Sequence, residues 1–89
     1  MREIEVRVGN RLGLHARAAA RFVHVANTFH AKVTVHKGGS RVNGKSILGL
    51  LTLAAACGAR LRVQAEGRDE EQAVRELAAL VGERFGEED

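Results

Sequence analysis

The stretch from Ile4 to Ala26 reads IEVRVGNRLGLHARAAARFVHVA and places a strand directly before a helix. Apolar and charged residues alternate over Ile4–Val8, which predicts a β-strand with one solvated face. Residues 9–13 interrupt the alternation with two glycines, and an alanine-rich run with helical spacing follows over Ala16–Ala26. His15 is therefore predicted to be the N-cap of a helix.

Histidine is an unusual N-cap, because Ser, Thr, Asp and Asn accept the unpaired N–H groups of a helix start more readily. The same helix start carries about half a positive charge and attracts anions. Arg17 adds a planar guanidinium that matches phosphate oxygens. These positive charges favour the neutral imidazole, whose free ring nitrogen can form a bond to phosphorus. The pattern predicts a phosphohistidine at His15; the alternative is an ordinary surface histidine.

The alternation recurs further along the chain and predicts a four-stranded antiparallel sheet. The expected inward-facing residues are Ile4, Val6 and Val8, then Ala31, Val33 and Val35, and finally Leu61, Val63 and Ala65. Lys37-Gly38-Gly39-Ser40 predicts a hairpin turn that leads into Val42. We expect an α+β fold with the order βαββαβα, an open-faced two-layer β-sandwich that forms one domain over residues 1–89.

Three helices are expected to cover one face of this sheet. The first presents the apolar stripe Ala19, Phe22, Val23 and Ala26, and the last presents Val74, Leu77, Ala78, Val81 and Phe85. The last helix is expected to begin at Asp69, with Gln72 completing a capping box. The tail Glu83–Asp89 is expected to be solvated and partly frayed.

The middle helix is more apolar than one core face requires. Its expected core stripe consists of Leu50, Leu53, Ala54 and Cys57, which leaves a second stripe of Ile47, Leu48 and Leu51. The second stripe belongs either to a wider core or to an exposed docking patch. Cys57 precedes Gly58 at the expected end of this helix, where we predict a half-buried, structural thiol.

The lengths of the apolar runs and the spacing of the histidines argue against a membrane protein and a metal site. No apolar run approaches the roughly 18 residues of a membrane span, so we expect a soluble, cytoplasmic protein without membrane insertion. His24, His30 and His36 lack neighbours at metal-ligand spacing, and we expect no metal and no cofactor.

The net charge of +3 raises nucleic-acid binding as an alternative. The chain has no Trp or Tyr, and Phe22, Phe29 and Phe85 fall on helical or loop positions instead of on strands. Sheets that bind single-stranded RNA stack bases on strand aromatics, so we expect no nucleic-acid partner. A ferredoxin-like ligand- or RNA-binding module stays as the alternative of a different class.

Two ordered motifs resemble the HPr family, the histidine phosphocarriers of the bacterial sugar phosphotransferase system. The string from Asn10 to Arg17, Asn-x-x-Gly-Leu-His-Ala-Arg, is similar to the family's active-site motif. The string Val42–Leu50, VNGKSILGL, is similar to its regulatory serine region, and the resemblance continues through Gly58 and Glu66-Gly67. It thus covers essentially the whole chain.

The resemblance implies a carrier and not an enzyme. Phosphorylated enzyme I would donate to His15, at Nδ1 as in the family, and IIA domains of sugar permeases would accept from it. The implied phosphate-stabilising groups are Arg17 and the backbone N–H groups of Ala16, Arg17 and Ala18. The implied docking residues are Ile47, Leu48 and Leu51, with Ala20, His24 and Asn27 on the first helix.

Ser46 has two compatible interpretations. As an N-cap its hydroxyl would stabilise the middle helix by about 1 kcal/mol. As the family's regulatory serine it would be phosphorylated by HPr kinase/phosphorylase, with a catabolite-control transcription regulator as a further partner.

Two points stay open beside this resemblance. A nitrogen-branch or other regulatory HPr paralogue is the alternative within the family, and we expect a monomer. The family usually has proline after the arginine of the first motif, whereas this chain has Ala18, which leaves the exact helix start in question.

Overall fold

A computed structural model describes residues 1–87. Four strands within this range form one antiparallel sheet. Its strands are β1 (Arg2–Arg7), β2 (Lys32–Lys37), β3 (Ser40–Asn43) and β4 (Arg60–Glu66), in the spatial order β1-β4-β2-β3. The hairpin between β2 and β3 pairs Lys37 with Ser40 across the two glycines, as predicted. The sheet confirms the expected open-faced α+β architecture.

Within residues 1–87, three α-helices follow the predicted order. They are α1 (Ala16–Ala26), α2 (Ile47–Thr52) and α3 (Glu70–Gly82), and a 3-10 turn over Arg84–Gly86 follows α3. The helix α1 begins at Ala16 with alanine at position 18, so the missing proline does not displace the helix start.

The core lies between the helices and one face of the sheet. The predicted inward residues of β2 and β4 are buried, and so are the α1 stripe and all three phenylalanines. Two predicted inward residues of β1 are less buried, since Val6 is half-buried and Ile4 is 36% exposed. Ile4 pairs with the fully buried Val63 and so faces the helices, but β1 is an edge strand with a neighbour on one side only.

The helix α2 is shorter than predicted. It ends at Thr52, and Ala54 adopts a positive φ of 50°, which ends the helical path. The chain turns there because the Ala55 carbonyl accepts a 2.8 Å hydrogen bond from the Leu14 N–H. Leu50 and Leu53 are buried as predicted, but the core placement of Ala54 and Cys57 was wrong, since both are exposed.

The start of α3 also differs from the predicted capping box. The Asp69 carboxylate makes no cap hydrogen bond and instead accepts from the N–H groups of His30 and Ala31, each at 2.8 Å. Those two backbone hydrogen bonds, led by the one from His30, lower the pKa of Asp69. Gln72 bonds to Glu76 in the next turn. Asp69 therefore ties the start of β2 to α3, a long-range role that capping statistics do not predict.

The tail after α3 was predicted to be frayed, but up to Glu87 it is folded against the rest of the protein. Residues 88 and 89 lie outside the described part of the chain. Arg84 and Phe85 adopt positive φ values of 57° and 56°, which turns the chain back toward the core. Phe85 is fully buried, although it lies beyond the end of the helix whose stripe it was predicted to extend. Burial of the phenyl ring offsets the roughly 1–2 kcal/mol cost of each left-handed residue. Ala78, the other correction in this stripe, is only half-buried.

Candidate functional site

His15 is the N-cap of α1, as predicted. Its backbone is extended (φ −82°, ψ −179°), and its ring Nδ1 accepts a 3.2 Å hydrogen bond from the Arg17 N–H. The N–H groups of Ala16 and Ala18 lie in the first turn, where no carbonyl of the helix is available to them. The predicted phosphate-stabilising backbone groups thus share one helix end with Nδ1. Their role toward a phosphoryl group stays a prediction.

The loop before His15 is held by close backbone packing. Gly13 has a φ of +70°, and a Cβ at this position would lie 2.6 Å from the Ala55 carbonyl oxygen. The neighbouring Leu14 N–H donates to that same oxygen. A side chain at position 13 would push the loop away from Ala55, so glycine fixes the approach of the chain to His15.

A shallow hollow surrounds the His15 ring. It is lined by Arg11, Leu12, His15, Ala16, Arg17, Arg21, Gly86 and Glu87. The His15 side chain keeps 27% of its surface exposed, so a partner protein can reach the ring. Three guanidinium groups on one hollow give it a positive character suited to an anion.

Glu87 reaches this hollow from the far end of the chain. Its Oε2 contacts His15 Nε2, and its Oε1 accepts a 2.9 Å hydrogen bond from Asn10 Nδ2. Asn10 is fully buried and donates its second amide hydrogen to the Gly13 carbonyl at 2.7 Å. One asparagine therefore positions both the loop before His15 and the carboxylate behind it.

The charge of Glu87 is stabilised in place. The hydrogen bond from Asn10 lowers the pKa of the Glu87 carboxyl, against the opposing effect of its partial burial. The contact with His15 and the positive charge of Arg21 act in the same direction as Asn10. Glu87 is therefore a carboxylate at neutral pH.

The predicted docking residues are accessible to different degrees. Leu48 is 77% exposed and Ile47 is 40% exposed, whereas Leu51 is half-buried and packs against the core. Ala20 and His24 are exposed on α1, Asn27 is exposed directly after it, and α1 packs against α2. Part of the surplus apolar stripe thus faces solvent, and its docking role stays a prediction.

Ser46 is the N-cap of α2, as predicted. Its Oγ accepts a 2.9 Å hydrogen bond from the Gly49 N–H, and the residue is half-buried. The exposed Cys57 thiol contacts the Gly9 carbonyl at 3.8 Å, in a loop and not at a helix end.

Three features of the site were not predicted from the sequence: Glu87, the positioning role of Asn10, and the exposed Leu12 beside the ring. Asn10 belongs to the string that directed attention to His15, so its place in that motif was a usable signal. Glu87 had none, because 72 positions separate it from His15 and charged residues are common in a chain terminus.

Within residues 1–87, no group of three or more His, Cys, Asp or Glu side chains is placed to hold a metal ion. Among the same residues, no helix has the length and apolar character needed to cross a membrane.

The chain is similar to known proteins over most of its length. A family model described as "PTS HPr component phosphorylation site" matches residues 2–83. The phosphocarrier protein HPr of Neisseria meningitidis is 48% identical over 82 residues, covering 92% of each chain. The HPr-like protein Crh of Bacillus subtilis is 46% identical over 81 residues, covering 91% of this chain and 93% of that protein.

The fold is similar as well. A crystal structure of HPr from Thermoanaerobacter tengcongensis superposes with a TM-score of 0.96 at 42% identity and covers all of both chains. Since the family model and these relatives each span most of the sequence, the chain belongs to the HPr family of phosphocarrier proteins of the phosphotransferase system.

Proposed function

We propose that this chain accepts a phosphoryl group on Nδ1 of His15 from phosphorylated enzyme I and passes it to IIA domains of sugar permeases. The observation that carries this proposal is the orientation of the His15 ring. Its Nδ1 accepts from the Arg17 N–H and therefore bears a lone pair at the positive end of α1. Once the Arg17 N–H turns from Nδ1 to a phosphoryl oxygen, that lone pair is the nucleophile the reaction requires.

The surroundings of Nδ1 suit a transferable phosphoryl group. Arg17 and the first-turn N–H groups provide donors for its oxygens. The hollow is shallow and the ring is partly exposed, so the donors compete with water and bind the phosphoryl group weakly. Weak binding favours onward transfer, because a carrier that stabilises its phosphorylated state strongly slows the next step.

The test is incubation with phosphoenolpyruvate and a bacterial enzyme I, followed by intact mass measurement. Wild type should gain one acid-labile phosphoryl group, and His15→Ala should gain none while its circular dichroism spectrum is unchanged. His36→Ala is the matched control, since His36 bonds to Gln64 in the sheet and does not line the hollow. Acid-labile phosphorylation of His15→Ala would contradict the proposal.

The docking part of the proposal concerns a surface with two exposed aliphatic side chains, Ile47 and Leu48, on α2. Ala20, His24 and Asn27 would border it from α1. An apolar patch with a polar rim fits transient docking to several partners in turn.

Ser46 supports a second, regulatory function. Its hydroxyl is half-buried at the start of α2, directly before Ile47 and Leu48. A phosphoryl group there would add about two negative charges beside the docking patch and repel an acidic partner. Incubation with HPr kinase/phosphorylase and ATP should phosphorylate wild type and not Ser46→Ala; equal labelling of both would contradict this function.

A regulatory paralogue is the competing function, and the similarity to Crh is the observation that favours it. A sugar-branch carrier and a nitrogen-branch paralogue differ in the enzyme I that donates the phosphoryl group. A sugar-branch carrier accepts from the sugar-branch enzyme I at a higher rate than from a nitrogen-branch enzyme I, and a nitrogen-branch paralogue shows the reverse. Pairing assays with both donors therefore decide between them.

A further inference from the structure

We propose that Glu87 is a positioning residue for His15, which holds the ring with its proton on Nε2 and its lone pair on Nδ1. This inference rests on the proposed function, because it concerns the same transfer. The structural relationship behind it is independent of any partner: one carboxylate bridges the ring of His15 and the amide of Asn10.

The hydrogen-bond partners of the ring specify one tautomer. The Arg17 N–H is a donor, so the Nδ1 that faces it must be the acceptor. The Glu87 carboxylate can only accept, so the Nε2 that faces it must carry the hydrogen. The neutral tautomer with hydrogen on Nε2 satisfies both contacts at once.

Glu87 is itself held in place by Phe85 and Gly86 in the tail and by Asn10 in the loop before His15. Phe85 is fully buried and anchors the chain two residues earlier, and its carbonyl accepts from the Arg21 guanidinium. Gly86 has a φ of +80°, which a side chain would strain. Asn10 then fixes the carboxylate through Oε1, leaving Oε2 for His15. The Glu87 side chain is only 16% exposed.

The position of Glu87 suits the charge that transfer creates. The Arg17 N–H first releases the Nδ1 lone pair, which then attacks phosphorus. The bond between phosphorus and the donor nitrogen breaks, and the donor nitrogen keeps that electron pair. The His15 ring then carries a positive charge with its proton still on Nε2, directly beside the carboxylate. A carboxylate that stabilises the ring at this stage lowers the barrier without touching the phosphoryl group.

Other charged groups face the hollow and do not replace Glu87. Arg11 lies in the loop before His15, and Arg17 and Arg21 lie on α1, so all three oppose a positive ring. Glu87 is the carboxylate among the residues that line the hollow. Among residues 1–87, its removal leaves Arg11, Arg17 and Arg21 as the charged residues that line the hollow with His15.

Nuclear magnetic resonance of the isolated protein tests the contact without any donor enzyme. In wild type, the His15 Nε2 should bear a hydrogen that exchanges slowly enough to be observed at neutral pH. Glu87→Ala should lose this signal through exchange with water. Glu83→Ala removes the same charge from an exposed position in the same tail and should keep the signal.

Kinetics then tests the consequence. Glu87→Ala should accept the phosphoryl group from enzyme I on the order of tenfold more slowly than wild type, an effect similar to the loss of a carboxylate that orients a metal-binding histidine. Glu83→Ala should match wild type, which controls for the loss of negative charge. Thermal unfolding of each variant separates positioning from destabilisation.

The outcomes are distinguishable. If Glu87→Ala keeps the wild-type Nε2 hydrogen signal, or if Glu83→Ala slows transfer as much as Glu87→Ala does, the positioning role is wrong. If wild type itself accepts no phosphoryl group, the proposed function fails, and the resonance experiment still decides whether Glu87 orients His15.

Discussion

The amide of Asn10 donates a 2.9 Å hydrogen bond to the carboxylate of Glu87, 77 residues further along the chain. The same amide donates to the Gly13 carbonyl at 2.7 Å, and Asn10 itself is fully buried. The two chain segments that flank His15 are therefore joined through a single side chain, and the integrity of the site depends on an amide that both segments share.

Asn10→Asp should weaken the fold most at neutral pH. The substitution turns both hydrogen bonds into oxygen–oxygen contacts, one of them between two carboxylates. An unpaired buried charge of this kind costs about 3 kcal/mol or more. The deficit should shrink at acidic pH, where a protonated carboxyl can donate a hydrogen bond again. Urea unfolding of wild type and Asn10→Asp at pH 7 and pH 4 measures the difference in unfolding free energy.

Asn27→Asp provides the control for that experiment, because Asn27 is exposed at the end of α1. It should change the free energy of unfolding by less than about 1 kcal/mol. A stable Asn10→Asp protein at pH 7 would show that the shared amide is dispensable.

Acidification alone should release the tail from His15. The Asn10 hydrogen bond lowers the pKa of Glu87 in the folded protein below the usual glutamate value of about 4.3. A group with a lowered folded pKa contributes stability above its unfolded value and loses it as pH falls through the folded value. The Glu87 contact should therefore persist at the usual pKa of a glutamate and be lost only as the pH falls through the lowered pKa of Glu87.

The His15 ring protons report this transition by their chemical shifts in a titration below pH 5. Wild type should show an acidic step, whereas Glu87→Gln should lack it, since a glutamine does not titrate. Arg11, Arg17 and Arg21 also line the hollow, and both proteins retain them. Identical titrations of the two proteins would contradict the assignment.

Removal of the Phe85 ring should both destabilise the protein and free Glu87. Phe85 is fully buried, and truncation of a buried phenylalanine to alanine costs about 3–5 kcal/mol. Phe85→Leu retains much of the volume and should cost less than about 1.5 kcal/mol. Urea unfolding of both variants gives the comparison, and equal stabilities of Phe85→Ala and wild type would mean that the tail is not part of the core.

Leu48→Ala should impair docking without affecting stability. Leu48 is 77% exposed, so its truncation should change the unfolding free energy by no more than about 0.5 kcal/mol. If Leu48 contributes to the interface with enzyme I, the KM for this protein in the phosphotransfer reaction should rise about tenfold. This prediction is checked by steady-state kinetics with the carrier as varied substrate.

Ile4→Ala is the matched control, because Ile4 is a partly exposed aliphatic residue on the edge strand β1, at the opposite edge of the sheet from β3. It should leave the KM unchanged. The same KM for Leu48→Ala and wild type would remove Leu48 from the docking surface.

Local patterns in the sequence predicted much of this structure. The alternation over β2 and β4, the stripe of α1 and the cap at His15 depend on residues within one or two turns of each other, and these predictions are confirmed. Where a long-range contact competed with a local preference, the prediction was wrong. The Asp69 carboxylate accepts from the N–H groups of His30 and Ala31 and does not cap its own helix. The Ala55 carbonyl accepts from the Leu14 N–H, and α2 does not continue to Ala55.

By itself, the sequence determined the sheet, the helix order and the place of His15 at a positive helix start, because strand and helix periods and capping act over a few residues. Only the tertiary structure decided what faces the other side of the ring. The contact between Glu87 and His15 exists because burial of Phe85 turns the end of the chain back onto α1. That turn depends on core packing between distant segments, which no local pattern encodes.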